Sequence, residues 1–351
     1  MSGIAVHRAV LGPSAAGAAR SARLFAGLLA CCGVLILVTL AGIAVGAKSI
    51  PLSTVIDAIF SYDPSNADEV IVRTLRVPRV IVGLLVGAAL GAAGTMMQGL
   101  TRNPLADPGI LGVNAGAALL VVIGIYWFGA TSLLGYVWFG FAGAAVASLL
   151  VYALGSLGRE GATPVKLALA GASLTALLGS ITTAILLLDV DTLDQFRFWI
   201  VGSLAGRTST VAASVAPFVA VGLVLALACS PMLNTLALGD DVARGLGQRI
   251  GWSRAMGAVC IVLLCGAATA AAGPIAFVGL AVPHVARAIT GPDYRWLMLY
   301  SIVIAPILLI GADIIGRVIA RPGEVQVGIV TAFLGAPVFI YLVRRQRIST
   351  L

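Results

Sequence analysis

Long apolar runs, separated by short segments that carry the charges, are the main feature of the sequence. Taken between charged residues, the runs are 23–46, 80–100, 109–128, 132–154, 165–188, 211–230, 255–272, 274–283, 296–316 and 326–343. Most are about 20 residues long, the length of a helix that crosses a bilayer, and they are continuous, whereas barrel strands alternate apolar and polar residues. The eighth run is too short to cross alone, so we expect a half-helix or one limb of a hairpin there. We predict an all-α, polytopic membrane protein with nine to eleven spans, ten being the best count.

Glycines recur every four residues in the second run, at Gly83, Gly87 and Gly91. Gly112 and Gly116 have the same spacing in the third run. Small residues on one helix face let two backbones approach closely. We interpret the first stripe as helix packing inside one protomer, with a dimer seam as the alternative.

The composition indicates the same protein class. Hydrophobic residues make up 60% of the 351 residues and charged residues 10%, with a mean hydropathy of +1.06. Soluble domains are about 45–50% apolar and about 25% charged. The five cysteines all lie in apolar runs without CxxC spacing, which is typical of small buried hydrophobic residues. We therefore expect neither a metal site nor a bound cofactor in this chain.

The distribution of charge predicts the orientation. With the amino terminus inside and the spans alternating, the inner segments hold 14 positive and five negative residues, Asp107 among them, and the outer segments hold eight and nine. Inner segments of membrane proteins are enriched in Lys and Arg. We therefore predict that both termini are cytoplasmic, and we do not expect nucleic-acid binding. Residues 1–22 are expected to be a disordered tail, and residues 23–345 a single transmembrane domain that begins with an uncleaved span.

No segment of the chain is recognisable as an energy source for transport. Gly46-Ala47-Lys48-Ser49 only faintly resembles a phosphate-binding loop, because it lacks the upstream glycine and follows a span on the outer side. The central portions of the spans hold no Asp, Glu, Lys or Arg, and only Asp313, near an outer end, comes close. Coupled transporters usually keep such residues in the membrane. A partner-driven permease and a passive channel are therefore both open, and a stand-alone secondary transporter is disfavoured. The chain has two histidines, one of them in the tail, and no paired carboxylates in a span, so we expect no enzymatic activity.

The inner segment 233–251 is the most informative loop. It reads as two short helices broken at Gly239 and at Gly245–Gly247. Asp240 and Asp241 lie near a helix start, where the helix dipole favours negative charge. An apolar ridge on this loop would consist of Leu236, Leu238, Val242 and Leu246. An exposed apolar ridge usually contacts a partner, and a loop lying on the membrane surface is the alternative.

Four outer arginines stand against the positive-inside trend. Arg76 and Arg79 precede the second span, and Arg317 and Arg321 lie near the outer end of the ninth. Long basic side chains can reach lipid headgroups, and guanidinium groups pair well with carboxylates in a bidentate geometry. Membrane lipid and acidic residues of an external partner are therefore the two expected contacts.

Several independent blocks of the sequence form a recognisable set. They are Arg76–Arg79, Gly87–Gly91, Gln98, Asn103–Asn114, Leu236–Gly247, Phe277–Arg287 and Gly328–Ile340. This set, within a match over about residues 23–345, resembles the signatures of the iron-siderophore and vitamin B12 importer permease family. The extra Arg321 is a departure from the family pattern.

The resemblance implies the type II architecture of an ATP-binding-cassette importer in the bacterial inner membrane. Each permease subunit then has ten spans and pairs with a second permease subunit, identical or paralogous. Two cytoplasmic ATPases hold the ATP and Mg, and an external substrate-binding protein delivers the cargo. A ferric siderophore is the expected cargo, with cobalamin and haem as the alternatives, and iron inside its chelator needs no protein ligand.

The resemblance also assigns roles to individual residues. The segment expected to dock in an ATPase groove comprises Leu236, Leu238, Gly239, Asp240, Asp241, Ala243, Arg244, Leu246 and Gly247. Arg76, Arg79 and Arg317 are expected to meet glutamates of the binding protein, with Arg321 as an additional contact. The residues that resemble an inner gate before the fifth span are Gly161, Ala162, Thr163 and Pro164. Residues 194–206 resemble a short outer helix that lines the path.

Overall fold

The computed structural model describes residues 15–130, 132–157 and 163–348. Its helices are α1 (Ala15–Ala44), α2 (Leu52–Phe60), α3 (Ala67–Ile71), α4 (Val77–Thr101), α5 (Val113–Phe128), α6 (Leu133–Gly155), α7 (Pro164–Leu188), α8 (Val190–Ile200), α9 (Ser209–Ala237), α10 (Asp240–Gly245), α11 (Ile250–Ala272), α12 (Val278–Thr290), α13 (Tyr294–Ile319) and α14 (Val327–Ile348). A π-helical turn, Val72–Arg76, joins α3 to α4, and a 3₁₀ turn, Pro108–Leu111, precedes α5. No strand occurs in these ranges, so the predicted all-α class is confirmed.

Ten apolar helices form the framework of the described structure. Seven are long and apolar enough to cross a membrane, namely α1, α4 with the preceding α3 and π turn, α6, α7, α9, α11 and α13. Three shorter apolar helices, α5, α12 and α14, bring the number to ten. By length and composition, seven of the described helices are candidate spans, and the three shorter ones make the predicted count of about ten an approximate one.

Two segments outside the predicted spans are helical. α1 begins at Ala15, so residues 15–22 are helical and do not belong to a disordered tail, while residues 1–14 lie outside the described residues. The stretch between α1 and α4 folds into α2, α3 and the π turn. Glu69 of α3 stabilises the turn between α2 and α3. Its buried carboxylate accepts hydrogen bonds from the backbone N–H of Asp63 (2.7 Å) and the side chain of Asn66 (2.9 Å).

α4 lies at the centre of the bundle. In the most apolar stretch of its span, 83% of the residues are buried, whereas the share in α1 is 6%. α4 packs on α9, α11, α12 and α13. A side chain at Gly87 would place its Cβ 2.5 Å from the backbone of Pro306 in α13, and one at Gly83 would meet Ile310 at 3.0 Å. The glycine stripe therefore packs against α13 inside one protomer, the first of the two interpretations.

Gly94 gives a direct test of this close packing. It faces Gly279 in the first turn of α12, where a methyl group would collide with the Gly279 carbonyl oxygen. The Gly94→Ala variant should lower the free energy of unfolding by about 1–3 kcal/mol, because two backbones must separate. Thermal unfolding of the purified chain in detergent measures the loss. Gly179→Ala is the matched control, since a methyl group there meets no atom within 4 Å, and equal losses in the two variants would contradict the packing argument.

α12 is a half-length helix that starts inside the bundle. Phe277, which precedes it, has a left-handed backbone (φ 68°), and Gly279 contacts Gly94, seven residues before the end of α4. The helix then runs to Thr290, beyond the predicted apolar run 274–283. Of the two alternatives for this run, the structure adopts the half-helix.

The bundle has two ends, named here after the short helices that lie on them. At the α10 end, Arg102, which follows α4, pairs with Asp240 of α10. At the α8 end, α14 begins beside the loop that follows α8. α1 begins at the α10 end, where Arg20 donates a hydrogen bond to the carbonyl of Thr290 (3.1 Å). Both terminal helices therefore have their chain-terminal ends at the α10 end.

Candidate functional site

α10 is a single short helix within the segment 233–251. Residues 233–237 continue α9, so the expected pair of short helices is corrected to one. Gly239 (φ 103°) and Gly247 (φ 83°) bound it, and both have a positive φ that a side chain would strain. The helix breaks predicted at the glycines are confirmed.

α10 and its flanks expose three large apolar side chains. Leu238, Val242 and Leu246 are 61%, 51% and 66% exposed. Leu236 is 2% exposed and belongs to the core, as does Ala243. The predicted apolar ridge therefore has three members and not four, because the last turn of α9 carries Leu236 inward. We call Leu238, Val242 and Leu246 the α10 ridge.

Asp240 fastens α10 to two long helices. Its carboxylate accepts a hydrogen bond from Nη2 of Arg254 in α11 (2.8 Å) and forms an ion pair with Nη2 of Arg102 at the end of α4 (3.2 Å). The side chain of Asp241 is 98% exposed and pairs with Arg244 within α10 (2.7 Å). In the described structure, Asp240 and not Asp241 therefore ties α10 to α4 and α11 by side-chain ion pairs.

A cluster of ionised side chains lies at the α8 end. Arg79 of α4 donates from Nε and Nη2 to the carboxylate of Asp313 in α13, at 2.7–3.1 Å, and from Nη1 to Glu324 at 2.7 Å. Arg317 lies one turn after Asp313 and pairs with it at 2.9 Å. Asp313 and Arg317 are both fully buried. Asp313 is thus the shared carboxylate of two buried arginines.

Three arginines at this end also bind the last carbonyl oxygens of α1 and its exit. The donors are Arg76, Arg317 and Arg321. The acceptors are the carbonyls of Gly42, Ile43, Ala44, Val45, Gly46 and Lys48. The last carbonyls of a helix lack intrahelical partners and carry partial negative charge. The arginines therefore hold the end of α1 against α4 and α13.

The predicted docking arginines are brought together, but their charges are already engaged inside the chain. Arg76, Arg79 and Arg317 are buried and line one cavity of about 420 Å³. Arg321 is the member of the set whose side chain is exposed. Contact of these four arginines with an external protein therefore stays a prediction.

The predicted gate segment is described in part. Gly161 and Ala162 lie outside the described residues. Thr163 caps α7, since its hydroxyl oxygen accepts a hydrogen bond from the backbone N–H of Lys166 (3.3 Å), and α7 begins at Pro164. Thr and Pro are favourable residues at these two positions, so the sequence accounts for the helix start. The gating role stays a prediction.

The segment between α4 and α5 returns into the bundle, which the sequence reading missed. Pro108 lies against Gly279 at the depth of Gly94, about 10 Å inside the end of α4 at the helical rise per residue. Asp107 caps the 3₁₀ turn by accepting a hydrogen bond from the N–H of Gly109 (2.8 Å). Asp107, which was counted with the inner segments between the spans, therefore lies within the bundle. The signal in the sequence that could have indicated this return is the set of prolines and glycines between α4 and α5, namely Pro104, Pro108, Gly109 and Gly112.

α8 is the short helix expected within residues 194–206, and it begins earlier, at Val190. Asp189 caps it by accepting hydrogen bonds from the hydroxyl (2.6 Å) and the N–H (2.8 Å) of Thr192. These bonds lower the pKa of Asp189 below its ordinary value. The loop after α8 is tied to α11 because the N–H of Ser203 donates to the carbonyl of Ala272 (2.7 Å). α8 is therefore held in place across the end of the bundle.

The described residues include no group of three or more His, Cys, Asp or Glu side chains placed to hold a metal ion. All five cysteines are free thiols. The described carboxylates that bring two helices together, Asp240 and Asp313, do so through ion pairs with arginines.

Comparison with known proteins gives the same architecture. Residues 34–345 match the model of the FecCD transport family. The chain is 49% identical over 314 residues to a ferric enterobactin transport system permease protein of Escherichia coli (strain K12), covering 89% of this chain and 93% of that one. It is 44% identical over 316 residues to a probable siderophore transport system permease protein of Bacillus subtilis (strain 168), covering 90% and 95%. A solved structure of a metal-chelate type ABC transporter in an inward-facing conformation superimposes with a TM-score of 0.78 at 25% identity, over 90% of this chain and 98% of that one. The chain therefore belongs to the FecCD transport family.

Proposed function

We propose that this chain is the membrane-spanning permease subunit of an ATP-driven importer that carries a ferric siderophore across the bacterial inner membrane. The observation that carries the proposal is α10, a short helix that exposes an apolar ridge and is fastened by Asp240 to α4 and α11. An exposed apolar surface of this kind fits a protein partner. The ion pairs provide a route by which movement of that partner reaches the bundle.

The expected partners bind at the two ends of the bundle. The α10 end faces the cytosol, where the ridge docks on one of two ATPases, and those subunits hold the ATP and Mg. A second permease subunit, identical or paralogous, completes the path. An external binding protein delivers the cargo at the α8 end, where the exposed Arg321 and the arginine-lined cavity offer positive charge to its acidic residues. Closure of the ATPases then moves α10 and shifts the helices as rigid bodies between two packings.

The cargo is proposed from the relatives. Both sequence relatives carry names that state siderophore or ferric enterobactin transport. Cobalamin and haem are the competing cargos, and a channel or a stand-alone transporter is the competing class. These alternatives predict different results in one reconstitution experiment.

The experiment places the chain, its second permease subunit and its ATPase in proteoliposomes with the binding protein and a radio-iron siderophore. Uptake should require ATP, and the Leu238→Ser, Leu246→Ser pair should reduce it at least about tenfold, because each lost leucine contact contributes about 1.5–3 kcal/mol to docking. Co-purification of the ATPase should fall in parallel.

The matched control is the Leu238→Met, Leu246→Met pair, which keeps an apolar surface and should keep both docking and uptake. Full ATP-dependent uptake by the serine variant would contradict the role of the ridge. Uptake by the chain without nucleotide would overturn the importer proposal, and preferential uptake of cobalamin or haem would correct the cargo.

A further inference from the structure

A second cavity at the α8 end holds a buried arginine. The cavity has a volume of about 480 Å³ and lies between α6, α8 and the segments that precede α9 and α14. Arg207 lines it and is 5% exposed. Its Nε donates to the carbonyl of Ser203 (3.0 Å), and within the described residues its two terminal nitrogens have no hydrogen-bond partner. Arg207 therefore carries unused donors into the cavity.

Arg207 differs in this respect from the other buried arginines of the α8 end. Arg79 and Arg317 share the carboxylate of Asp313, and Arg76 binds the carbonyls at the end of α1. Burial lowers the pKa of Arg207 to about 10, with no neighbouring carboxylate opposing the shift, so the group stays charged at neutral pH. A buried charge without a counter-charge is costly, and an incoming anion would remove that cost.

The other groups around the cavity also suit an anionic, aromatic ligand. Trp199 also lines the cavity, with its ring buried in the wall. The hydroxyl of Tyr136 donates to Oε1 of Gln195 (3.2 Å), and both side chains line the cavity. The ring of Phe198 is largely exposed at the same site. A guanidinium group beside aromatic rings can bind paired oxygen atoms and stack a planar ring.

We propose that this cavity binds an anionic oxygen group of the incoming ferric chelate, so that the importer takes negatively charged chelates in preference to neutral ones. The inference rests on the proposed function and adds the charge class of the cargo. A cavity of this volume lies in the range of about 300–1,000 Å³ that is usual for small ligands. The burial of Arg207 suits an oxygen group that enters the cavity better than a side chain on the surface of a binding protein.

The test compares Arg207→Gln with the wild type in the reconstituted importer, using a ferric tris-catecholate as the anionic probe and a ferric tris-hydroxamate as the neutral one. Uptake of the anionic chelate should fall about tenfold, the effect of losing one charge-assisted contact, and uptake of the neutral chelate should not change. Arg207→Lys should restore part of the loss. Arg197→Gln is the matched control, since Arg197 lies on α8 but is exposed and paired with Asp194 (3.1 Å).

Equal losses for the two chelates, or no loss, would overturn the inference. So would weaker association of the binding protein with Arg207→Gln while chelate binding stays intact, since the arginine would then serve the protein. Binding of the tris-catecholate to the purified chain, measured by equilibrium dialysis, separates this inference from the proposed function. If binding of the chelate depends on Arg207 but no chelate is transported, the assignment of the cavity is supported and the importer proposal is wrong. If binding of the chelate does not depend on Arg207, the assignment of the cavity is wrong.

Discussion

The Asp313→Asn variant should lose about 3–5 kcal/mol of stability, the usual result of removing one partner from a buried ion pair. Asp313 is the carboxylate shared by Arg79 of α4 and Arg317 of α13, and its side chain is 2% exposed. An amide cannot balance two guanidinium groups that lie side by side. Because Arg317 also holds the last carbonyls of α1, the end of that helix should loosen as well.

Thermal unfolding in detergent and hydrogen exchange of the segment after α1 measure the two effects. Glu324→Gln is the matched control, because Glu324 also pairs with Arg79 at 2.7 Å but its side chain is 29% exposed. Partly exposed pairs contribute about 0–1 kcal/mol, so the control should unfold close to the wild type. Equal unfolding temperatures for the two variants would show that the cluster does not hold the three helices together.

The Asp313 cluster also bears on how an external protein could use these arginines. Reversing the charge of Arg79 or Arg317 would break the cluster and the fold together, so a loss of partner binding in such variants has two explanations. Arg321 is exposed and binds a backbone carbonyl. It is therefore the residue of the set at which a docking role can be examined without breaking the Asp313 cluster.

The sequence predicted the parts of the fold that depend on local pattern. Apolar runs of spanning length became helices, and Gly239 and Gly247 ended the short helix between α9 and α11. The shortened eighth run became a half-helix for the same local reason, since Gly273 ends α11 and the chain restarts at Val278. Length, hydropathy and glycine position suffice for features of this kind.

Contacts between segments far apart in the sequence could not be predicted from local pattern. Arg79 and Asp313 are 234 residues apart in the chain, so a list of outer arginines could not show that two of them are neutralised inside the protein. The return of Asp107 into the bundle depends on space left by Gly279, and the burial of Leu236 on the length of α9. Arg207 was missed because a single arginine in a loop carries no local sign of burial.

Asp240 lies at the start of α10 and pairs with arginines of two distant helices. The Asp240→Asn variant should therefore uncouple ATP hydrolysis from transport. The exchange keeps the shape of the side chain and leaves the α10 ridge exposed, so the ATPase should still dock. It removes the charge that holds Arg102 of α4 and Arg254 of α11. Substitutions in a coupling path change the coupling free energy by about 0.5–2 kcal/mol, or roughly 2- to 30-fold in the linked equilibrium.

The measurement is the number of chelate molecules imported per ATP hydrolysed in proteoliposomes. That ratio should fall for Asp240→Asn while ATPase co-purification is unchanged, because the partner still grips α10 but moves it without carrying α4 and α11. Asp241→Asn is the matched control on the adjacent residue, whose carboxylate is exposed and pairs within α10 alone in the described structure. If the two variants reduce the ratio equally, the negative charge of α10 matters and its ion pairs with α4 and α11 do not. If neither variant reduces the ratio, movement passes into the bundle through the backbone of α9.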